Sequence, residues 1–141
     1  MIVNTAYIYM GSGGGGGGTP VNPNLWQDGV ANYPVEFTNS SISADGLLLN
    51  KNATATFSEL QLTDFANLKI SGNSAQILNI EIKFEFFDNS DQLLGTRSAT
   101  FPPSTSTRTV EVPSKARIKN AKIKITNTTR YSVTLISAVL S

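Results

Sequence analysis

The sequence contains neither cysteine nor histidine. Without cysteine there is no disulfide and no thiolate nucleophile, and the redox compartment cannot be read from the chain. Without histidine the commonest general base at neutral pH and the commonest metal ligand are both missing. Charged residues make up only 15% of the chain, less than the solvated faces of a helical protein normally carry. No apolar run approaches the length of about 20 residues that spans a bilayer as a helix, so no membrane partner is expected. The first ten residues, MIVNTAYIYM, lack the basic start and long apolar stretch of a secretory signal. The expectation is therefore synthesis and folding in a cytoplasm.

What the chain has in abundance is uncharged polarity. It holds 13 Asn, 15 Ser and 15 Thr among 141 residues. Threonine suits strands, and asparagine and serine suit turns, so this bias favours β structure with many connections. The net charge of +1 conceals an asymmetry. Residues 1–96 carry three basic and nine acidic groups, whereas residues 97–141 carry eight basic groups and one acid. Either strands from the two halves interleave and neutralise one another, or the subunit is dipolar and stacks positive face on negative. The basic residues have no matching cluster of stacking aromatics, so nucleic acid is not an expected partner. Asn39, Asn52 and Asn127 each begin an N-x-S/T sequon, which this composition produces without any need for glycosylation.

Two regions differ in character. Residues 1–24 read as an N-terminal anchoring arm. Its first ten residues are apolar and β-prone through Ile2, Val3, Tyr7, Ile8, Tyr9 and Met10, and residues 11–24, GSGGGGGGTPVNPN, are a linker by composition. A decapeptide of this kind needs a partner surface, on its own body or on another subunit. Addition to a sheet edge is a simple way to provide one. Residues 25–141 read as one folded β-sandwich domain.

Within the body, short apolar–polar runs alternate with turn signals. Strands are expected at Val35–Thr38, Ile42–Leu49, Thr54–Ser58, Ala66–Ser71, Ile77–Phe87, Gln92–Phe101, Arg108–Val112, Ala121–Thr126 and Tyr131–Leu140. Leu78 to Phe86 alternates strictly, with even positions apolar. The last segment is apolar at both parities, which suggests burial on both faces or cover by the arm or a neighbour. Single helical turns are expected near Leu60–Phe65 and Ser114–Lys119. The fold class that follows is all-β: a two-sheet β-sandwich of jelly-roll type with an extended N-terminal arm.

Chemistry is hard to find, and the chain reads as non-enzymatic. A serine triad lacks its base, and no serine sits in a glycine-flanked elbow. The ten acids are scattered, with no pair singled out for glycoside hydrolysis. Asp88-Asn89-Ser90-Asp91 has the oxygen density for calcium, but those residues also close a tight turn, and the turn is the expected role. Gly11–Gly18 lacks the Lys-Ser/Thr ending of a phosphate loop. No catalytic residue, cofactor or metal ligand is therefore assigned. Trp26 and Tyr33 are the candidate glycan contacts, as a stacking platform, and Trp26 is equally suited to stapling the incoming chain onto the body.

The start MIVNTAYIYMGSGGGGGGTP, the segment Leu25-Trp26-Gln27-Asp28-Gly29, the stretches Ser43–Leu49 and Val110–Val112 with Pro113, and the closing Val133–Leu140 together resemble small bacteriophage virion structural proteins. Such proteins pair a glycine-rich arm with a sandwich like that of carbohydrate-binding modules. The resemblance implies a virion structural or decoration protein made in a host cytoplasm. Its arm would bind major capsid, collar or tail subunits, and the protein would form a homo-oligomer. The alternative it leaves open is a carbohydrate-binding adhesion module of a phage fibre or cell surface, with a glycan as partner.

Overall fold

The computed structural model describes residues 3–6, 21–74 and 77–141, the first of these as backbone. Eleven strands are described: β1 (Val3–Ala6), β2 (Trp26–Gln27), β3 (Val30–Ala31), β4 (Val35–Ser43), β5 (Gly46–Leu60), β6 (Asn67–Ser74), β7 (Ile80–Phe87), β8 (Leu93–Phe101), β9 (Ser106–Glu111), β10 (Ala121–Asn127) and β11 (Val133–Leu140). One 3-10 turn at Ser114–Ala116 falls where the sequence suggested it.

The strands form two layers, because the longest strand changes layer midway. The second half of β5 pairs with β10, whereas its first half pairs with β11. β4 follows β5 along its other side through the same change. One layer runs β1-β4-β5-β10-β7-β8 and the other β4-β5-β11-β6-β9. The crossing needs a sharp bend in both strands. Asn39 and Asn52 supply it, with φ of 55° and 53°. Asparagine is among the few side chains that tolerate the left-handed region. The Asn39 amide then ties the bends together by donating to the Lys51 carbonyl at 2.8 Å.

Alternation fills the space between the layers. Ile80, Ile82, Phe84 and Phe86 of β7, Ala121, Ile123 and Ile125 of β10, and Ala55 and Phe57 of β5 are buried on one side. Leu47 and Leu49 of β5, Leu68 and Ile70 of β6, and Val133, Leu135, Ala138 and Leu140 of β11 meet them from the other. A strict period of two makes such a face, and each full burial of a large apolar side chain is worth about 1.5–3 kcal/mol. The predicted alternation began at Leu78, but β7 starts at Ile80 and Leu78 is 45% exposed, beside Ile77 at 94%.

The closing strand departs from the expectation in an instructive way. Its apolar residues of both parities are not buried on two faces. The register with β6 slips between Leu135 and Ser137, so Ile136 is an extra residue. A bulge of this kind flips every later side chain to the other face. Val133 and Leu135 therefore point inward before it, and Ala138 and Leu140 after it, while Ile136 itself is 43% exposed.

The same bulge receives the incoming chain. The Trp26 indole nitrogen donates to the Ile136 carbonyl at 3.1 Å. Leu25 N donates to Ala138 O, and Leu140 N donates to Pro23 O. The lead-in thus occupies the side of β11 that β5 has left. Trp26 also stacks on Phe57 with ring centroids 5.8 Å apart. Asp28 and Gly29, both at positive φ, then turn β2 into β3, as a two-residue hairpin requires.

Basic and acidic halves interleave. Strand β10, from the basic half, lies between β5 and β7, with Lys124 opposite Glu85. Lys122 of the basic half pairs with Asp91 of the acidic half at 2.7 Å.

Candidate functional site

The sequence-derived candidates fall in three places. Trp26 and Tyr33 are 3% and 8% exposed, so neither presents an open ring face to a sugar. Trp26 is held as described above, and the Tyr33 hydroxyl donates to Asn22 O at 2.6 Å. Of the arm residues, Val3 lies in β1, which pairs antiparallel with β4 from Val3 opposite Thr38 to Ala6 opposite Val35. Ile2, Tyr7, Ile8, Tyr9 and Met10, and the polyglycine run, lie outside the described residues. The Asp88–Asp91 segment is a turn. One Asp88 carboxylate oxygen accepts from Ser90 N and Gln92 N at 2.8 and 3.0 Å. Asp91 faces the Lys122 ammonium. Among the described residues, no group of three or more Asp or Glu side chains gathers to hold a metal.

A different place has the features of a binding site. An open groove of about 480 Å³ is lined by Val21, Gln61, Thr63, Asp64, Phe65 and Lys119. It lies at the end of the sandwich where β5 finishes and β10 begins. The loop after β5 was expected to form a helical turn; it holds a single hydrogen-bonded turn from Leu62 to Phe65, with no helix, and is fastened from below. Leu60 and Leu62 are fully buried. Leu62 N donates to Ile118 O, and Phe65 N donates to Leu62 O. Beyond it, Ala66 N and Asn67 N both donate to Ser141 O. Burying Leu60 and Leu62 and bonding the following backbone leaves Thr63 and Asp64 in solvent, with Gln61 and Phe65 half-buried.

Two residues at the lip carry unusual backbone. Glu59 has φ 59° and Asn120 has φ 56°. Glu59 is the outlier of the two, since a glutamate gains nothing locally from the left-handed region. Its cause is visible in the register. Between Ala121 opposite Leu60 and Ile123 opposite Phe57, β5 carries one residue more than β10. The Gln61 amide bridges the lip, donating to Glu59 O at 3.3 Å and to Asn120 Oδ1 at 3.4 Å.

The groove combines one aromatic ring, one carboxylate, one ammonium and one amide. Among the described residues, Asp64 and Lys119 form no ion pair and no side-chain hydrogen bond, so both are available to a ligand. Such a set can stack a flat apolar face and exchange hydrogen bonds with hydroxyls. It offers a single carboxylate, so the paired acid and base of glycoside hydrolysis are not assembled here. Sequence reasoning missed this site because Phe65 sits in a short segment with no period. The one available signal was a polar Gln-x-Thr-Asp set around a leucine, just past a long strand.

No protein-family profile matches the chain, and none of the curated proteins matches it. Solved structures do share its fold. A carbohydrate-binding module of family CBM36, in complex with calcium and xylotriose, superposes with a TM-score of 0.59 at 18% identity, over 78% of this chain and 94% of that one. The CBM36-1 domain of a multidomain xylanase from the hindgut metagenome of Trinervitermes trinervoides gives 0.51 at 13% identity, over 68% and 77%. The agarase AgWH50C gives 0.54 at 9% identity, over 76% of this chain and 22% of the agarase. The shared property is the jelly-roll β-sandwich of carbohydrate-binding modules, some of them parts of larger enzymes.

Proposed function

We propose that this protein is a non-catalytic, carbohydrate-binding adhesion module whose ligand lies in the groove of Gln61, Thr63, Asp64, Phe65 and Lys119. The observation that carries this reading is Asp64 and Lys119, without a side-chain partner among the described residues, beside the half-buried Phe65 ring at one end of a carbohydrate-binding-module fold. Phe65 would stack on the apolar face of a pyranose, and Asp64, Gln61 and Lys119 would bond its hydroxyls. The CBM36 module was solved with calcium. Among the described residues here no group of three or more acidic side chains gathers, and the proposed contacts are the side chains of the groove. The test is a titration of the full chain against xylan, cellulose, agarose and bacterial surface polysaccharides, beside its Phe65→Ala and Asp64→Ala variants. Saturable binding that both variants weaken supports the reading. Binding to none of these polymers, or binding that ignores both substitutions, overturns it.

A second reading is favoured by one observation, the pairing of β1 with the β4 edge. On that reading the protein is a structural or decoration subunit of a phage particle, docked through residues 1–24 to capsid, collar or tail proteins. Deleting residues 1–10 would then abolish incorporation into particles and leave the body folded. The two readings are compatible in a fibre or tail adhesin.

A further inference from the structure

We propose that β1 is an exchangeable strand, and that in assemblies the Val3–Ala6 segment of one copy pairs with the β4 edge of a second copy. The inference does not depend on what the groove binds.

Along Val35–Thr38, β4 bonds to β5 on one side and to β1 on the other. Without β1, that stretch would be an open edge of unpaired N–H and C=O groups, which proteins cover or exploit. Four residues of β1 cover it, and among the described residues β4 is the strand that β1 pairs with. The backbone ladder between them is short, and an identical segment from another copy reproduces it bond for bond.

Chain length gives the second step. Within one molecule, β1 ends with Ala6 opposite Val35. The body begins close by, because Asn22 O accepts from the hydroxyl of Tyr33, two residues from Val35. Tracing that path puts Ala6 and Asn22 no more than about 25 Å apart. Residues 7–21 join them, and fully extended they reach about 50 Å. Fewer than ten residues would close this gap. The joining chain, Gly13–Gly18 included, is thus longer than docking at home requires. It is the length a segment needs to reach the matching edge of a neighbour.

Energetics then set when exchange occurs. The bonds made at home and away are the same, so local concentration decides. A tethered strand at its own edge sees an effective concentration on the order of mM. Dilute copies therefore keep their own arms, and copies fixed side by side trade them.

Because the chain has no cysteine, disulfide trapping reads this directly. Thr5 lies opposite Glu36. Directly paired positions fall within the Cα separation a disulfide accepts. Three oxidations are compared, each at a protein concentration on the order of mM, where a second copy competes with the tethered arm: the T5C/E36C double variant alone, T5C mixed with E36C, and T5C mixed with K51C as an off-register control. Exchange predicts internal closure of the double variant. It also predicts that T5C with E36C yields at least tenfold more cross-linked dimer than the control. A T5C–E36C yield no higher than the control, with the double variant closed internally, would show an arm confined to its own body and overturn the proposal. Failure of the double variant to close would overturn it too, by removing the β1–β4 pair on which it rests. Neither failure touches glycan binding, which is measured separately.

Discussion

The two ends of β10 use the same kinds of residue in opposite ways. At its C-terminal end, Asn127 is fully buried. Its amide nitrogen donates to the carbonyls of Leu49, Asn50 and Tyr131 at 3.2, 3.2 and 2.6 Å. Its carbonyl oxygen accepts from the backbone and hydroxyl of Thr129 at 3.0 and 2.7 Å. Nothing on that side chain is left for a ligand. At the N-terminal end, Lys119 and the facing Gln61 and Asp64 border an open groove, and among the described residues the Asp64 and Lys119 side chains make no hydrogen bond. Polarity that is bonded from within fixes a fold, and polarity left unbonded on a fixed loop is what a ligand can use. An asparagine-rich composition cannot tell the two apart.

The most severe way to break this contrast is at Asn127. Asn127→Ala leaves three carbonyls and the Thr129 donors short of partners inside the protein. Orphaned buried groups cost about 1–3 kcal/mol each, so a loss of about 3 kcal/mol or more is expected in urea unfolding of the full chain. A loss below about 1 kcal/mol would mean that water fills the hub and that the two ends are alike. Phe65→Ala comes next. The ring is only half-buried, so its removal should cost about 1–2 kcal/mol of stability, less than a fully buried phenylalanine. On the proposed function it should weaken glycan binding at least tenfold, which is about 1.4 kcal/mol. The larger stability loss at Asn127 should leave binding to the surviving folded protein unchanged. If Asn127→Ala and Phe65→Ala weaken binding alike, the groove is not the ligand's place.

The legible parts of this chain were those governed by a local period. The even-position pattern of β7, the strand expected at Ala121–Thr126 and the Asp88–Asp91 turn each sit in a few neighbouring residues, where pleat and turn sterics act directly. Less legible were features set by pairing across the chain. The double-parity pattern of Val133–Leu140 comes from a single extra residue, Ile136, whose role depends on β6 and on Trp26 more than 100 positions away. The bend that sends β4 and β5 between layers rests on Asn39 and Asn52, which read as turn formers or sequons until their φ angles are known. The groove was invisible for a related reason. Gln61–Phe65 and Lys119 are brought together by the β5–β10 pairing, and no local pattern announces that.

Two smaller changes sharpen the comparison from opposite sides. At the open end, Glu59→Gly removes the Cβ from a left-handed position, which relieves about 1 kcal/mol of backbone strain, partly offset by glycine's greater freedom in the unfolded chain. The variant should be equally or more stable in thermal unfolding. A clear destabilisation would show that the Glu59 side chain holds the lip.

At the closed end, the neighbour of Asn127 supplies the finest test. The Thr126 hydroxyl is buried and, among the described residues, has no hydrogen-bond partner. A buried polar group without a partner lowers stability, so replacing it by a methyl of similar shape should help. Thr126→Val is expected to raise stability by about 0.5 kcal/mol, in the direction opposite to Asn127→Ala one residue away. What decides the sign at this end is then whether a polar group is bonded, not whether the residue is polar. A loss on Thr126→Val would mean that its hydroxyl is satisfied by a bound water, and the closed end would be wetter than its geometry implies.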